Sequence, residues 1–432
     1  SKFNIRFYLQ ILFRIIYSKK YFEVGMKKIT VLILIFSALL INNSFAQVKN
    51  VNMFTLPKTI QITGDPATPA HVKRVLKLHL QRAGYNPEVL DRMKFDYISR
   101  GKTATLEIPL QKSENAEKVS TKQIKIENLV IPAITPKFLA FSNHPEKVKK
   151  PGVLFEAGLI NNKPIRLRSY HLGEENSPTH YFGVYLVNRS NRPARVRVVE
   201  AVGGPSENWM MAGHMNNLKF MHRLEKELGR IEEIPARSVF PIYQTSLEPG
   251  KVISATQNFF LIEGSPLQLV VYASQTPDEE IPYPIQSDVK DRHARGAYPL
   301  TAINIEAAYS LCEDSTFYTI GDTRLKDIFK GRDIRGNYGI IYDYDFTLCN
   351  PFKEEKKVGI FFQPRGGIAT GSFSIDGHMV SVGTTRAYEV VQLTEITLPA
   401  ESERKINLET MPEDASNYPV RLILMPIIEE NQ

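Results

Sequence analysis

Only two of the 432 residues are cysteine, Cys312 and Cys349, and only one is tryptophan, Trp209. Two thiols make at most one bridge, so the chain is not a small disulfide-built scaffold and must stand on its hydrophobic core. Whether they pair is open. A bridge would contribute ~3–4 kcal/mol by restricting the unfolded chain, and two free thiols are the other reading. Also missing are Gly-x-Ser-x-Gly, His-Glu-x-x-His and a glycine-rich phosphate loop before Lys-Ser/Thr, which removes the local signatures of serine hydrolases, zinc proteases and nucleotide binders. His171 and His180 stand nine apart across a loop, and His214 and His222 eight apart on a helical stretch. Eight residues advance roughly 800°, about 80° out of alignment, where two ligands on one helical face want a spacing of four. No metal and no cofactor is expected.

A basic block is lacking too, although the net charge is +8. Residues 1–46 hold seven bases (Lys2, Arg6, Arg14, Lys19, Lys20, Lys27, Lys28) against Glu23, so +6 of the +8 lies there and +2 remains for 47–432. Nucleic-acid binding needs a basic patch that displaces counterions from phosphates, and none runs through the later chain. Long apolar runs are equally scarce. The run from Ile29 to Ile41 has 13 residues, short of the roughly 20 that cross a bilayer. Met26-Lys27-Lys28 precedes it and Ser44-Phe45-Ala46 follows it, the three parts of a secretory signal cleaved before Gln47. The expectation is an exported chain, secreted or periplasmic, with 26–46 as signal peptide, 1–25 as translation upstream of a start at Met26, and no membrane span after cleavage.

What is present is β pattern. Residues 47–135 read as a small α/β module. Thr59–Ile62 is strand-like, Thr68-Pro69 caps and opens a helix, and Val72, Val75, Leu76, His79, Leu80 and Ala83 recur at helical spacing before Gly84 ends it. Ala104–Leu110 and Ile124–Ile131 follow as strands. From 136 to 280, short Val-, Ile-, Tyr- and Phe-rich runs between turn residues predict a β-sandwich, with Tyr181–Val187, Arg195–Val202, Phe259–Ile262 and Leu267–Ala273 among its strands. One helix over 211–229 interrupts it, its stripe of Met211, Met215, Leu218, Met221, Leu224 and Leu228 expected to face the core. Pro277, Pro282, Pro284 and Pro299 mark Gln275–Pro299 as an interdomain linker or long ordered connection, bounded as a linker at 281–299, and 300–432 is a second sandwich. The two share an echo, Leu186-Val187-Asn188 and Leu348-Cys349-Asn350, each followed by a polar turn and an alternating strand, which reads as two similar hairpins. The fold class expected is mainly β: two sandwiches behind an α/β module.

Several phrases carry a family resemblance over about Phe141 to Ile428. They are Phe141-Ser142-Asn143-His144-Pro145-Glu146 with Pro151-Gly152-Val153-Leu154, Gly204-Pro205-Ser206, and Arg292-His293-Ala294-Arg295-Gly296. Gly336-Asn337-Tyr338-Gly339-Ile340 follows, with Asn350-Pro351 and Pro364-Arg365-Gly366-Gly367. In this order they resemble an uncharacterised family of exported β-rich proteins found in cyanobacteria and Firmicutes, some of which carry a copper amine oxidase-like label. The resemblance implies location outside the cytoplasm and a β-rich fold, and no activity. Copper amine oxidase chemistry needs a His-x-His pair, which the nine histidines of this chain lack.

Candidate chemistry is sparse. Asp343 and Asp345 alternate along a strand and share a face, with Tyr342 and Tyr344 opposite. Paired carboxylates suit glycoside hydrolysis, and a solvated strand face is the plainer reading. Arg365 with the Gly366-Gly367 turn could form an anion site or merely a turn. Trp209 either stacks on a sugar or anchors its loop. Trp209, Arg292, Arg295, Asn337, Tyr338 and Arg365 are the ligand-binding candidates. The leading expectation is a non-catalytic binding or structural role toward envelope polysaccharide or another exported protein, and the alternative is a polysaccharide hydrolase using Asp343 and Asp345.

Overall fold

The computed structural model describes residues 49–50 and 54–428 apart from 113–114, 278, 280, 282–284 and 287–288. The expected upstream segment and signal peptide lie outside the described residues. A two-residue strand β1 (Lys49–Asn50) runs parallel to a later strand of the first sandwich. The α/β module then follows its pattern closely. β2 (Thr59–Thr63) leads into α1 (Pro69–Arg82), and β3 (Thr103–Lys112) pairs antiparallel with β4 (Asn115–Asn128). The Thr68 hydroxyl accepts from His71 N at 3.2 Å, Pro69 occupies the first helical position, and Gly84 beyond the end has φ +75. Val72, Val75, Leu76 and Leu80 are buried against Ile60, Ile62, Ile124 and Ile126.

The first sandwich comprises β5 (Phe138–Ser142), β6 (Lys147–Val148), β7 (Gly152–Leu159), β8 (Ile165–Gly173), β9 (His180–Asn188), β10 (Ala194–Ser206), α2 (Trp209–Glu225), β11 (Gly229–Ile234), β12 (Ser238–Leu247), β13 (Val252–Glu263) and β14 (Leu267–Ser274). The second comprises β16 (Ala302–Ser310), β17 (Thr316–Ile320), β18 (Ile341–Asn350), β19 (Lys356–Pro364), β20 (Ala369–Ile375), β21 (His378–Thr385), β22 (Val391–Leu398), β23 (Ser402–Thr410) and β24 (Val420–Pro426).

The two are one plan used twice. One sheet of the first runs β5-β8-β13-β10-β11, and its counterpart runs β16-β18-β23-β20-β21. The facing sheets run β12-β9-β14-β7 and β22-β19-β24-β17. Taken in chain order, β5 and β7–β14 match β16–β24 strand for strand. In both copies the first pairing (β5 with β8, β16 with β18) is parallel and the other pairings among the matched strands are antiparallel, the short β6 adding a second parallel pairing to β8 in the first copy. They differ between the fourth-sheet neighbours: β20 and β21 meet in a tight turn at Asp376-Gly377, whereas α2 is inserted between β10 and β11.

Several expectations change. The Asn188 and Asn350 segments are not hairpins, because β9 and β10 lie in opposite sheets, as do β18 and β19. Each Asn is buried at the foot of an arch between sheets. Asn188 Nδ2 donates to Arg192 O (2.9 Å) and Asn350 Nδ2 to Glu354 O (2.8 Å), while Oδ1 accepts the N–H two residues on, from Ser190 and Phe352. In strand order these arches are not equivalent, so the sequence echo reports shared turn chemistry rather than the register of the duplication. The segment 281–299 contributes a strand, β15 (Arg295–Tyr298), which pairs with β5 at the edge of the first sandwich. The α/β module shares that sheet at its other edge, where β2 pairs with β11. Cys312 and Cys349 are free thiols: Cys349 lies on β18 opposite Ser310, and Cys312 sits in the turn beyond, exposed.

Buried charge fastens the module. Arg230, fully buried on β11, pairs with Glu200 (Nη1–Oε1, 2.5 Å) and with Glu232, and Arg82 from α1 reaches both oxygens of Glu232 at 2.9 Å. Burial would raise the Glu232 pKa, but Arg82 and Arg230 outweigh it and bring it down to about 2.

Candidate functional site at the junction of the sandwiches

Equivalent sheets of the two copies face one another with α2 wedged between them. On β8 the alternation puts Leu167 in the core and sends Arg166 and Arg168 outward, both fully buried at the junction. On β18 it puts Tyr342 and Tyr344 in the second core and sends Asp343 and Asp345 outward. The sheet with arginines therefore meets the sheet with carboxylates.

α2 corrects the sequence reading. The expected apolar stripe is buried only in part: Met221 is buried, as is Leu228 beyond the helix end, but Met215, Leu218 and Leu224 are half-buried and Met211 is 47% exposed. The buried residues are Ala212, Gly213, His214, Asn216, Asn217, Phe220 and Met221. Because both flanking sheet faces are polar, the buried helix face must carry hydrogen-bonding groups. Arg168 Nη1 donates to Asn217 Oδ1 (2.8 Å), its Nη2 pairs with Asp414 Oδ2 (2.9 Å), and Ser254 Oγ donates to the same Asp414 oxygen (2.7 Å). His214 Nδ1 lies 2.9 Å from Glu413 Oε2. An apolar patch completes the contact, with Val199, Ala201, Phe220, Met221, Ile341 and Met411 buried together.

At the C-terminal end of α2 the two sheets part, leaving an open groove of about 740 Å³. Arg166, Arg197 and Asn258 from the first sandwich, Glu225 and Glu227 from the end of α2, and Asn304, Asp343 and Glu409 from the second line it. Arg166 is held by Asn258 Oδ1 (3.1 Å), Thr301 O (2.8 Å) and Gly339 O (2.9 Å). Asp343 and Glu409 are directly opposite on β18 and β23. Burial, then Asp343 and Glu225, raise the Glu409 pKa, and Arg166 pulls against them.

The paired-carboxylate expectation changes accordingly. Asn407 Nδ2 donates to both Asp343 Oδ1 (2.7 Å) and Asp345 Oδ1 (3.0 Å), so both are set up as acceptors. They also line different cavities: Asp345 opens on a second hollow of about 670 Å³ on the same sheet, with Glu306, Lys405 and Asn407. The acid raised toward protonation is Glu409, across the strands from Asp343.

The other sequence candidates do not gather in one cleft. Trp209 is the first residue of α2, 43% exposed, and its Nε1 donates to Gly250 O at 3.4 Å, which anchors the helix start on the turn after β12. Arg295 Nη1 donates to Gln286 O (2.8 Å) and Leu154 O (3.1 Å), fastening the edge strand, while Arg292 is exposed. Asn337 takes φ +54 and is buried, with Nδ2 on Thr323 O (2.8 Å) and Oδ1 accepting from Tyr342 (2.9 Å). Tyr338 donates to Ser416 O (3.0 Å), and burial pushes its hydroxyl up to about 12. Arg365 stacks over Tyr388 at 4.7 Å, and its own N–H and that of Gly366 reach Pro419 O. Tyr338 and the Arg365–Gly366 turn thus meet the same 411–419 connection as fasteners of turns. Missed at the sequence level were Arg166, Glu409 and Glu413, while His214 was weighed only as a metal ligand and set aside. A helix whose periodic face mixes His214 and Asn217 with Phe220 and Met221 was the one available signal that α2 faces a polar partner.

No family model matches the chain, and no curated protein matches it. Similar solved structures include an anti-sigma factor domain-containing protein, at 13% identity and a TM-score of 0.15, covering 62% of this chain and 80% of that one. Lac15 from a marine microbial metagenome matches at 10% identity and TM-score 0.14, covering 79% and 76%. A tandem CBM22 domain from Paenibacillus barcinonensis Xyn10C matches at 7% and 0.13, covering 61% and 76%. Similarity this slight places the chain in no fold family. Among the described residues no helix is long and apolar enough to cross a membrane.

Proposed function

We propose that the chain is exported and that its junction groove is a non-catalytic binding site for a polyhydroxylated ligand of the envelope or the extracellular space, a polysaccharide. The groove carries this reading. Its walls offer amide, guanidinium and carboxylate groups side by side, which is the donor-and-acceptor mixture that vicinal hydroxyls require. Export is supported by the charged start at Lys27-Lys28, the apolar Ile29–Ile41 and the small residues at Ser44 and Ala46. The test is retention on purified peptidoglycan and exopolysaccharide. Wild type is retained, and Asn304→Ala and Asp343→Ala each weaken retention about tenfold, the loss of one hydrogen bond of ~1.4 kcal/mol. Retention of neither polymer, or retention indifferent to both substitutions, sinks the proposal. A mature N-terminus at Gln47 in the exported fraction checks the location.

A second reading is favoured by the raised acid at Glu409 beside Asp343: polysaccharide hydrolysis with Glu409 as proton donor and Asp343 as the second acid of the pair. Release of reducing ends that Glu409→Gln abolishes would select it over simple binding.

A further inference from the structure

The N-terminal half of α2 holds a second constellation, separate from the groove at the other end of the helix. On β21, Met379, Ser381 and Gly383 alternate outward while Val380 and Val382 pack on the second core. Ser381 is exposed, opposite Ser372 of β20. Its Oγ lies 2.8 Å from His214 Nε2, and the other ring nitrogen lies 2.9 Å from Glu413 Oε2 and 3.2 Å from Oε1. Glu413 is fully buried, and its carboxylate accepts from Ser372 Oγ (2.6 Å) and from the Thr370 hydroxyl. We propose that Ser381, His214 and Glu413 form an acyl-transfer site assembled across the two sandwiches, acting on carboxylic esters with a small acyl group.

The arrangement supplies each role. Glu413 accepts the Nδ1 proton and fixes the tautomer whose bare Nε2 faces the serine hydroxyl. Burial lowers the His214 pKa, and the hydrogen bond and charge of Glu413 more than reverse this, so the ring is a stronger base than an isolated imidazole. The order of exposure fits a nucleophile: exposed serine, histidine 5% exposed, carboxylate at 0%. A purely structural chain would gain nothing by ending on an exposed hydroxyl that water could replace. Space is present beside it, since a side chain at Gly383 would meet nothing within 4 Å. β21 is the edge of its sheet, so alternate N–H groups along it lack ladder partners and can receive an oxyanion. Met211, one turn before His214, gives an exposed apolar neighbour for the acyl chain.

The chemistry closes on these atoms. Ser381 Oγ bonds to the ester carbonyl carbon as its proton passes to His214 Nε2. The C–O bond to the alcohol breaks and that alcohol leaves with the proton. Water then attacks the acyl-serine, its proton passing through His214 back to Ser381 as the acid departs.

The experiment uses the full exported chain with a fluorophosphonate label and p-nitrophenyl acetate. One label per chain is expected, located on Ser381 by peptide mass spectrometry, and absent in Ser381→Ala, whose exposed position leaves the fold unaffected. Ester turnover should fall at least a thousandfold in Ser381→Ala. Glu413→Gln, as a positioning change, should lower kcat with KM unchanged. Polysaccharide retention by Ser381→Ala should match wild type, which separates this site from the groove. A folded wild type that takes no label, a label on another residue, or undiminished turnover in Ser381→Ala overturns the proposal.

Discussion

His171 sits where an imidazolium cannot be accommodated. It is fully buried, with Nδ1–H donating to Pro145 O and Nε2 accepting from Ser142 Oγ, both at 2.9 Å, and burial brings its pKa down to about 4. His71, in the first turn of α1, is brought to about 3 by burial and then by Arg74. In the unfolded chain both titrate near 6.5, so between pH 6.5 and 4 the unfolded state binds more protons. Their contribution is complete above pH 6.5 and drains away as pH falls through the folded values, up to about 3 kcal/mol for His171 and about 5 kcal/mol for His71. His293, raised by Glu146, and the carboxyls of buried Asp414 and half-buried Glu409, raised by desolvation, run the other way, so the test is a difference. The urea stability of wild type minus that of His171→Gln should shrink by roughly 2 kcal/mol between pH 7.5 and pH 4.5. A difference that stays constant with pH refutes it. Little of this was legible beforehand, because the partners of His171 lie 29 and 26 residues away and His71, besides its neighbour Arg74, meets Gly229 O 158 residues on.

At the scale of elements, α1 and α2 show what periodicity can and cannot say. α1 covers one sheet whose face is apolar, so spacing, cap and stop signal agree and its buried apolar residues, though not His71, follow from the sequence. α2 lies between two sheet faces brought together only by the whole fold, so its most apolar stripe is partly left in solvent and its buried face is set by Arg168, Asp414 and Glu413. Two glycines record how closely it is held. A Cβ on Gly213 would stand 2.1 Å from Asp414 O, and one on Gly203 would stand 1.8 Å from Ala212 O. Alanine favours an isolated helix over glycine by ~1 kcal/mol, so propensity alone predicts that Gly213→Ala stabilises. Contact predicts the reverse. The helix or the 411–419 connection must shift, costing ~1–3 kcal/mol beyond that gain, and the melting temperature should drop by several degrees. Gly383→Ala, in open space, is the matched control and should leave it unchanged. A higher melting temperature in Gly213→Ala would show that the junction is looser than these contacts require.

For the whole molecule, the strand pattern revealed two sandwiches but not that they share one topology, since strand order depends on pairings that short alternating runs do not encode. Nor did it reveal how far the copies have merged. Leu139, Phe141 and Tyr298, from the edge of the first sandwich, belong to the hydrophobic cluster of the second. Arg168 of the first copy has its carboxylate, Asp414, in the second, and the α/β module takes part in the same sheet through β2 and β11. Cutting the chain at the former linker would therefore open a core and leave a buried arginine and a buried aspartate without partners, a cost of ~3–5 kcal/mol for the ion pair alone. Independent unfolding of the two copies would incur that cost in any state where one is folded and the other is not. The expectation is a single calorimetric transition whose van't Hoff and calorimetric enthalpies agree, despite a length at which separate domains usually melt separately. Residues 300–428 expressed alone should then lack a cooperative melt. Two resolved transitions, or a stably folded fragment, would mean that the junction is an ordinary domain contact, and that α2 is free to move between the faces it now joins.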